Sequence, residues 1–292
     1  MPKQEIPAEW TVLSMLEWGT EYLQQKRVNT PRLSIEWLLA HLLGCKRLDL
    51  YLKFDRPLSQ DELSSFKPML LRRGKHEPLQ YITGSTDFFG LEIKVNPSVL
   101  IPRPETEQLV ELILDDHPNS EKKTILDIGT GSGCIPLALK SKCASWDVFA
   151  FDLSEDALKT AQANSKYLNL DVTFFKSDLF FPELPSTLQS ADIIVSNPPY
   201  IEPKESSEID IEVRNFEPTM ALFHENVSSV YTSIIHLAER LLKNGGMLYL
   251  EINQRHDDSI QTLFNPKSWE TELVKDYNGH PRMLKCRHIN CI

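Results

Sequence analysis

The segment Thr124-Ile-Leu-Asp-Ile-Gly129-Thr-Gly-Ser-Gly133 decides which fold this sequence predicts. Its first five residues are mostly apolar or β-branched, as in a buried strand, and the apolar run after Gly133 is typical of a helix. Three glycines between them allow a tight turn with bare backbone against a ligand, and the free amides at the helix start attract negative charge. The segment therefore predicts a strand, a ligand-binding turn and a helix.

Strands and helices alternate from about residue 122 onward, with helical patterns after Gly133, Ser154 and Val227. Because parallel strands are joined by crossover helices, this order predicts an α/β fold with a doubly wound, mostly parallel, Rossmann-like sheet. Two further β-rich runs extend its edge, which makes seven strands. The predicted strands are 124–128, 147–151, 172–175, 192–196, 246–252, 270–276 and 282–289.

The first part of the chain has the pattern of a small helical domain. Apolar residues recur at helical spacing over 9–26, and Thr30-Pro31 offers an N-cap with proline at the first helical position of a second helix. Ser59-Gln-Asp-Glu62 is a capping box for a third helix, and 80–96 alternates like a hairpin. We predict a helical domain over 1–75, a hairpin linker over 76–104 and an α/β domain over 105–292.

Two details of the glycine turn favour S-adenosylmethionine over a nicotinamide dinucleotide. The glycines follow G-x-G-x-G, and Asp127 precedes them, where an acid suits a cationic amino group better than a pyrophosphate. Asp152 ends the second predicted strand, nineteen residues beyond Gly133, where a carboxylate can accept hydrogen bonds from both ribose hydroxyls. A glycine turn without a ligand is the alternative.

A short segment after the third predicted strand can complete the cofactor site. Asp178 could accept the adenine amino group and Leu179 could pack on the ring, although a plain strand-end turn explains both residues equally well. The predicted cofactor-binding residues are Gly129, Thr130, Gly131, Ser132, Gly133, Asp152, Asp178, Leu179 and Asn197.

The tetrapeptide Asn197-Pro198-Pro199-Tyr200 follows the fourth predicted strand, where open α/β sheets bind ligands. An amide nitrogen is a poor nucleophile, so a methyltransferase has to orient it and stabilise the developing positive charge. The Asn197 side-chain oxygen and the Pro198 carbonyl can accept its two N–H groups. The prolines fix φ and Tyr200 can lie flat on a planar group, so these four are the predicted catalytic residues. A turn without chemistry is the alternative.

Asn-Pro-Pro-Tyr on a G-x-G-x-G fold is similar to methyltransferases that act on planar nitrogens, including DNA adenine methyltransferases. The motifs together resemble the peptide chain release factor N5-glutamine methyltransferase family (PrmC/HemK). The segments that carry the resemblance are Pro78-Leu-Gln-Tyr-Ile-Thr-Gly84, Leu100-Ile-Pro-Arg-Pro-Glu-Thr-Glu107, Ile125-Leu-Asp-Ile-Gly-Thr-Gly-Ser-Gly133, Asn197-Pro-Pro-Tyr-Ile201, Phe216-Glu-Pro218 and Asp276…Gly279…Arg282.

The resemblance implies a methyltransferase domain over 105–292 that uses S-adenosylmethionine. It implies as substrate the glutamine of the Gly-Gly-Gln loop of class 1 release factors, with the helical domain helping to dock the factor. Arg103 and Glu105 would wall the site or have only a structural role. The chain departs from the family at Asn226-Val-Ser-Ser-Val230, where an Asp-Gly-Leu turn is usual, and at Glu251-Ile-Asn253, where Glu-Ile-Gly is expected.

Three other functions stay open at this point: a ribosomal-protein glutamine methyltransferase, a DNA or RNA adenine methyltransferase, and a non-catalytic regulator that binds S-adenosylmethionine. The net charge of −10 argues against extended phosphate binding, so we expect no direct contact with nucleic acid.

The remaining composition predicts neither a metal nor a membrane. No C-x-x-C or H-E-x-x-H spacing occurs, so we expect reduced thiols and no metal site. No apolar run approaches the roughly 18 to 20 residues of a membrane span, and the first ten residues do not form a secretory signal. We therefore expect a cytoplasmic protein. The cysteines are Cys45, Cys134, Cys143, Cys286 and Cys291.

Overall fold

The structure, a computed structural model, describes residues 9–118, 121–253, 255 and 257–289. The chain forms two compact units, one of Met1–Gly84 with Asp210–Phe216 and one of Ser85–Ile209 with Glu217–Ile292. The helices are α1 Val12–Gln25, α2 Pro31–Leu42, α3 Gln60–Arg73, α4 Leu79–Thr83, α5 Pro104–Asp116, α6 Cys134–Lys142, α7 Glu155–Leu168, α8 Ile211–Phe216, α9 Thr219–Leu222, α10 Val227–Leu241 and α11 Asp257–Gln261, with 3-10 turns at Arg47–Leu52 and Pro203–Glu208.

The helical unit is built on amphipathic helices whose apolar faces meet in one core. The predicted capping box opens α3, because Glu62 N donates to Ser59 Oγ (3.2 Å) and Ser59 N donates to Glu62 Oε2 (2.8 Å). Thr30 precedes α2 as predicted, but its backbone is left-handed (φ +45°) and its side chain makes no capping bond. Pro31 at the first helical position starts α2 without that bond.

A segment from late in the chain completes the helical unit. Asp210–Phe216, which includes α8, packs with the first helices. Asn29 Nδ2 donates to Asp210 Oδ2 at 2.7 Å, and Arg73 Nη2 lies 2.7 Å from Glu212 Oε1. Because Arg73 is buried, this ion pair holds the late segment against the helical core.

The second unit confirms the predicted doubly wound sheet. Its strand order is β5-β4-β3-β6-β7-β9-β8, and β9 runs in the direction opposite to that of the other described strands of this sheet. Helix α10 packs its buried face into the same apolar core as β3, β6 and β7. The strands are β3 Thr124–Ile128, β4 Asp147–Asp152, β5 Thr173–Lys176, β6 Ala191–Ser196, β7 Leu242–Glu251, β8 Trp269–Lys275 and β9 Pro281–His288, with a separate hairpin of β1 Ser85–Phe88 and β2 Leu91–Lys94.

The predicted hairpin over 80–96 is wrong in its first part, because Leu79–Thr83 forms the short helix α4. Ile82 is buried in the core of the helical unit, and this packing overrides the alternating pattern. The hairpin itself starts at Ser85 and turns at Phe89 (φ +53°) and Gly90 (φ +77°). Two positive φ values at the centre of a two-residue turn match the twist of the strands.

Three further observations bear on the composition. The described cysteines Cys45, Cys134, Cys143 and Cys286 are free thiols, and Cys291 lies outside the described residues. No group of three or more His, Cys, Asp or Glu residues in the described ranges is arranged to hold a metal ion. In the same ranges, no helix combines the length and apolar character needed to cross a bilayer.

Candidate active site

A cavity of about 420 Å³ opens at the carboxyl edge of the sheet, where the strand order reverses between β3 and β6. These two strands end side by side, because Ile128 pairs with Ser196. The residues that follow them, Gly129 and Asn197, therefore leave the sheet next to each other and both line the cavity.

The cavity brings together most of the predicted site residues. Gly133 and Tyr200 are not among the residues that line it, and neither is Glu105, whereas Arg103 is. The predicted residues that line it are Gly129, Thr130, Gly131, Ser132, Asp152, Asp178, Leu179, Asn197, Pro198 and Pro199.

The glycines of the turn have two different structural roles: two allow left-handed backbone, and one also allows close helix packing. Gly129 (φ +73°) and Gly131 (φ +55°) need left-handed backbone, and a Cβ there would meet nothing within 4 Å. At Gly133 (φ +80°), a Cβ would lie 3.1 Å from the Cβ of Ala161 on α7. Gly133 thus allows α6 and α7 to pack closely.

Asp152 holds the glycine turn and still faces the cavity. Its Oδ2 accepts from Gly131 N at 2.8 Å and its Oδ1 accepts from Ser154 N at 2.9 Å. Burial raises the pKa of Asp152, while these backbone bonds act in the opposite direction. Each carboxylate oxygen can accept more than one hydrogen bond, so Asp152 retains acceptor capacity for a ligand diol.

Asp127, two residues before Gly129, is a fully buried carboxyl that is not among the residues lining the cavity. Its two oxygens, Thr130 Oγ1 and Ser132 Oγ are buried without a hydrogen-bond partner among the described residues. Burial raises the pKa of Asp127 to about 7, with a smaller opposite effect of the nearby Thr130 hydroxyl. An uncompensated buried carboxylate next to unpaired hydroxyls suits a cationic amino group, so these residues fit the amino-acid end of S-adenosylmethionine.

An apolar rim with one acid forms the other end of the cavity. Asp178 Oδ1 accepts from Phe180 N at 2.8 Å, which fixes the turn after β5, and Leu179 packs against the sheet core. The Phe180 ring stacks on His224, with centroids 5.7 Å apart. His224 and Met220 also line the cavity, and sequence reasoning missed both, since they lie near the region that departs from the family pattern.

A hydrogen-bonded network extends from Asn197 into the core. Asn197 Nδ2 donates to Thr106 Oγ1 (3.1 Å), and Thr106 Oγ1 donates to Glu251 Oε2 (2.7 Å). Tyr200 OH donates to Glu251 Oε1 at 3.2 Å, and the partly buried Tyr200 ring packs against the core. Burial raises the pKa of Glu251, while the Thr106 hydrogen bond and the charge of Arg282 act in the opposite direction.

A second buried acid fixes the wall that carries Arg103. Glu217 Oε1 lies 2.5 Å from Arg103 Nη2, and Glu217 Oε2 accepts from Ile101 N at 3.1 Å. The Glu217 side chain is buried, so this ion pair is largely protected from solvent. It joins two of the motifs singled out in the sequence, those at 100–107 and 216–218.

Comparisons with known proteins match both parts of the chain. The model of the PrmC N-terminal domain matches residues 14–84, and that of the methyltransferase small domain matches residues 105–217. A release factor glutamine methyltransferase of Geobacter sulfurreducens is 38% identical over 96% of this chain and 98% of its own length. One of Flavobacterium psychrophilum is 43% identical over 82% of this chain and 86% of its own.

A solved structure shares the fold of this chain. A methyltransferase of Pyrococcus furiosus superposes with a TM-score of 0.52 at 18% identity and covers 70% of this chain and 91% of its own.

Proposed function

Because the chain belongs to the release factor glutamine methyltransferase family, we propose that it methylates the side-chain nitrogen N5 of a glutamine in a peptide chain release factor. The chain is an S-adenosylmethionine-dependent methyltransferase. Its target is the glutamine of the Gly-Gly-Gln loop of class 1 factors, and the modification acts on translation termination. The division into 1–75, 76–104 and 105–292 and a cytoplasmic location stay predictions.

The observation that carries this proposal is that the glycine turn and the Asn197-Pro198-Pro199 edge line the same cavity. A methyl donor held by the turn and a carboxamide held by the edge would meet within it. Such a shared cavity supports direct transfer between the two bound groups, since reacting atoms must lie within about 3 to 3.5 Å of each other.

The chain's own residues supply binding and orientation of the cofactor. Asp127 attracts a cationic amino group and Asp152 accepts the ribose hydroxyls, while Asp178 and Leu179 recognise the adenine. When bound, S-adenosylmethionine supplies an electrophilic methyl group on a sulfonium. The mixture of apolar walls and a few placed polar groups is typical of such pockets.

At the other end, two acceptors orient the target amide. The Asn197 side-chain oxygen and the Pro198 carbonyl each accept one N–H of the glutamine amide. They thereby aim its nitrogen and stabilise the positive charge that develops on it. The methylated cationic amide is acidic and releases its proton to water or nearby acceptors, so no general base is needed. Stacking of Tyr200 on the substrate group stays a prediction.

The test of function uses purified release factor and enzyme with S-adenosylmethionine. Mass spectrometry of a tryptic digest should find one added methyl group on the Gly-Gly-Gln peptide, and none on a factor whose glutamine is replaced by alanine. An excess of duplex DNA should not compete, because the net charge of −10 disfavours binding to phosphates. Methylation of DNA, or of a ribosomal protein in preference to the factor, would select an alternative function.

Asn197→Ala tests the mechanism. Loss of one preorganised hydrogen-bonding group should lower the rate on the order of 10² to 10³-fold, with a smaller effect on cofactor affinity. Near-normal turnover would refute the scheme of two acceptors.

A further inference from the structure

The side-chain amide of Asn197 has two ends of nearly the same shape, and only hydrogen bonding distinguishes them. If the Asn197 oxygen faces the cavity, the side chain accepts a hydrogen bond from the substrate amide. If the Asn197 nitrogen faces the cavity, it presents a donor to a group that also donates. The orientation of this amide therefore decides whether the site can hold a glutamine side chain.

Thr106 provides the partner that distinguishes the two ends. It lies in the first turn of α5, it is 2% exposed, and its Oγ1 is 3.1 Å from Asn197 Nδ2. A hydroxyl has one hydrogen to donate and lone pairs to accept with. Thr106 can therefore match either end of the Asn197 amide, depending on where its own hydrogen points.

Glu251 fixes the direction of that hydrogen. It is the last residue of β7, it is 1% exposed, and its Oε2 lies 2.7 Å from Thr106 Oγ1. Thr106 Oγ1 donates its hydrogen to Glu251 Oε2, which leaves a lone pair of Thr106 Oγ1 to accept from Asn197. Only the NH₂ end of the Asn197 amide can then face Thr106.

The second oxygen of Glu251 is also engaged. Tyr200 OH donates to Glu251 Oε1 at 3.2 Å, and Tyr231 OH donates to the Glu251 main-chain carbonyl at 3.0 Å. Ser196 and Leu250, the residues before Asn197 and Glu251, pair on adjacent strands. The network is therefore built on the ends of β6 and β7 and bridged by α5.

We propose that Glu251 and Thr106 are positioning residues that turn the Asn197 carboxamide so that its oxygen faces the cavity as the acceptor for the substrate amide. This inference rests on the proposed function and adds to it the two residues that select an N–H donor as substrate. Neither residue has to contact the reacting atoms, because both act through Asn197.

Thr106→Val tests the proposal, with Thr106→Ser as its matched control. Valine keeps the shape of threonine but cannot accept a hydrogen bond from Asn197 Nδ2. The Asn197 amide is then stabilised by turning its nitrogen toward water in the cavity. The rate constant kcat should fall on the order of 10- to 100-fold, the equivalent of one unmade buried hydrogen bond, with little change in KM for the release factor. Serine keeps the hydroxyl and should restore most of the rate.

A double-mutant cycle separates this role from general support of the fold. If Thr106 acts through Asn197, Thr106→Val should lower the rate little further in the Asn197→Ala background. A structural role would lower the rate by the same factor in both backgrounds. Additive losses, or a Thr106→Ser variant as slow as Thr106→Val, would overturn the proposal.

A second measurement does not depend on methylation. In NMR spectra of the ¹⁵N-labelled enzyme without ligands, the Asn197 side-chain NH₂ is identified by its absence in Asn197→Ala. It should show a nuclear Overhauser effect to the Thr106 methyl and slow exchange, and Thr106→Val but not Thr106→Ser should remove the slow exchange. An NH₂ group unaffected by Thr106→Val would refute the orientation. Normal NMR behaviour in an enzyme that does not methylate release factor would contradict the proposed function instead.

Discussion

Replacement of Asp127 by asparagine should stabilise the cofactor-free protein and weaken its binding of S-adenosylmethionine. Asp127 lies behind the glycine turn with both carboxylate oxygens buried and without a hydrogen-bond partner among the described residues. Because burial disfavours the charged form, the free energy of unfolding falls as the pH rises and the carboxyl ionises in the unfolded chain, and a cationic ligand would compensate for that loss.

The size of the effect follows from the pKa of Asp127, which burial raises from 3.8 to about 7. Below pH 3.8 the carboxyl is protonated in both the folded and the unfolded chain, and there is no loss. As the pH rises from 3.8 to 7, only the unfolded chain ionises, and each pH unit removes about 1.4 kcal/mol of folding stability. Above pH 7 the loss stays constant, at about 4 kcal/mol.

Asparagine does not titrate, so the stability of Asp127→Asn relative to the unmodified protein should depend on pH. The free energy of unfolding of Asp127→Asn should exceed that of the unmodified protein by about 2 to 3 kcal/mol more at pH 8 than at pH 5. Between pH 5 and about pH 7 the carboxyl is ionised in the unfolded chain only, and this difference builds up there. Urea unfolding of both proteins at the two pH values measures this difference. Asp171→Asn, which removes the same charge at an exposed position before β5, is the matched control and should show little difference.

The same variant tests the proposed amino-group site. Isothermal titration at pH 8 should find S-adenosylmethionine bound about tenfold or more weakly by Asp127→Asn, because a charge-assisted hydrogen bond is lost. A stability difference that does not change between pH 5 and pH 8 would refute the desolvated carboxyl. Unchanged cofactor affinity would mean that the amino group binds elsewhere.

Three further substitutions test the packing within each of the two units. Gly131→Ala should lower the free energy of unfolding by about 1 to 2 kcal/mol through backbone strain alone. Gly133→Ala should lower it by at least about 1 kcal/mol more, because the added Cβ would also crowd α7. Thermal unfolding of both variants without cofactor measures the difference. Glu212→Ala should lower the free energy of unfolding by about 2 kcal/mol, because it leaves the buried guanidinium of Arg73 without its carboxylate. If Glu212→Gln lowers the free energy of unfolding by as much, then charge and not hydrogen bonding stabilises this contact.

Much of the fold could be predicted because its signals are local. The strands from β3 to β9 start and end within a few residues of their predicted bounds, with β7 four residues longer at its start and a register shift there. Hydrophobic periodicity and glycine turns depend on residues that are close in sequence, so they indicate the local structure without knowledge of the tertiary contacts. The resemblance to the family, stated from six short motifs, is confirmed by the matches over nearly the whole chain.

The predictions were wrong in two segments whose local conformation differs from what the residue pattern indicates. The helix α4 forms in a segment with an alternating pattern, because Ile82 joins the helical core. The Thr30 side chain does not cap α2, because its backbone turns left-handed. Neither outcome is encoded by the spacing of the residues around it.

By itself, the sequence determined the alternation of strands and helices, the glycine turn and the Asn-Pro-Pro edge at a strand end, because parallel strands place their carboxyl ends at one edge. Only the tertiary structure decided that Thr106 contacts Asn197, 91 residues away along the chain, and that Glu251 contacts Thr106, 145 residues away. Such a contact depends on which strands become neighbours and where α5 packs on them. The orientation of one amide is thus a property of the assembled sheet, since a single hydroxyl and a buried carboxylate can act on it only after folding brings them together.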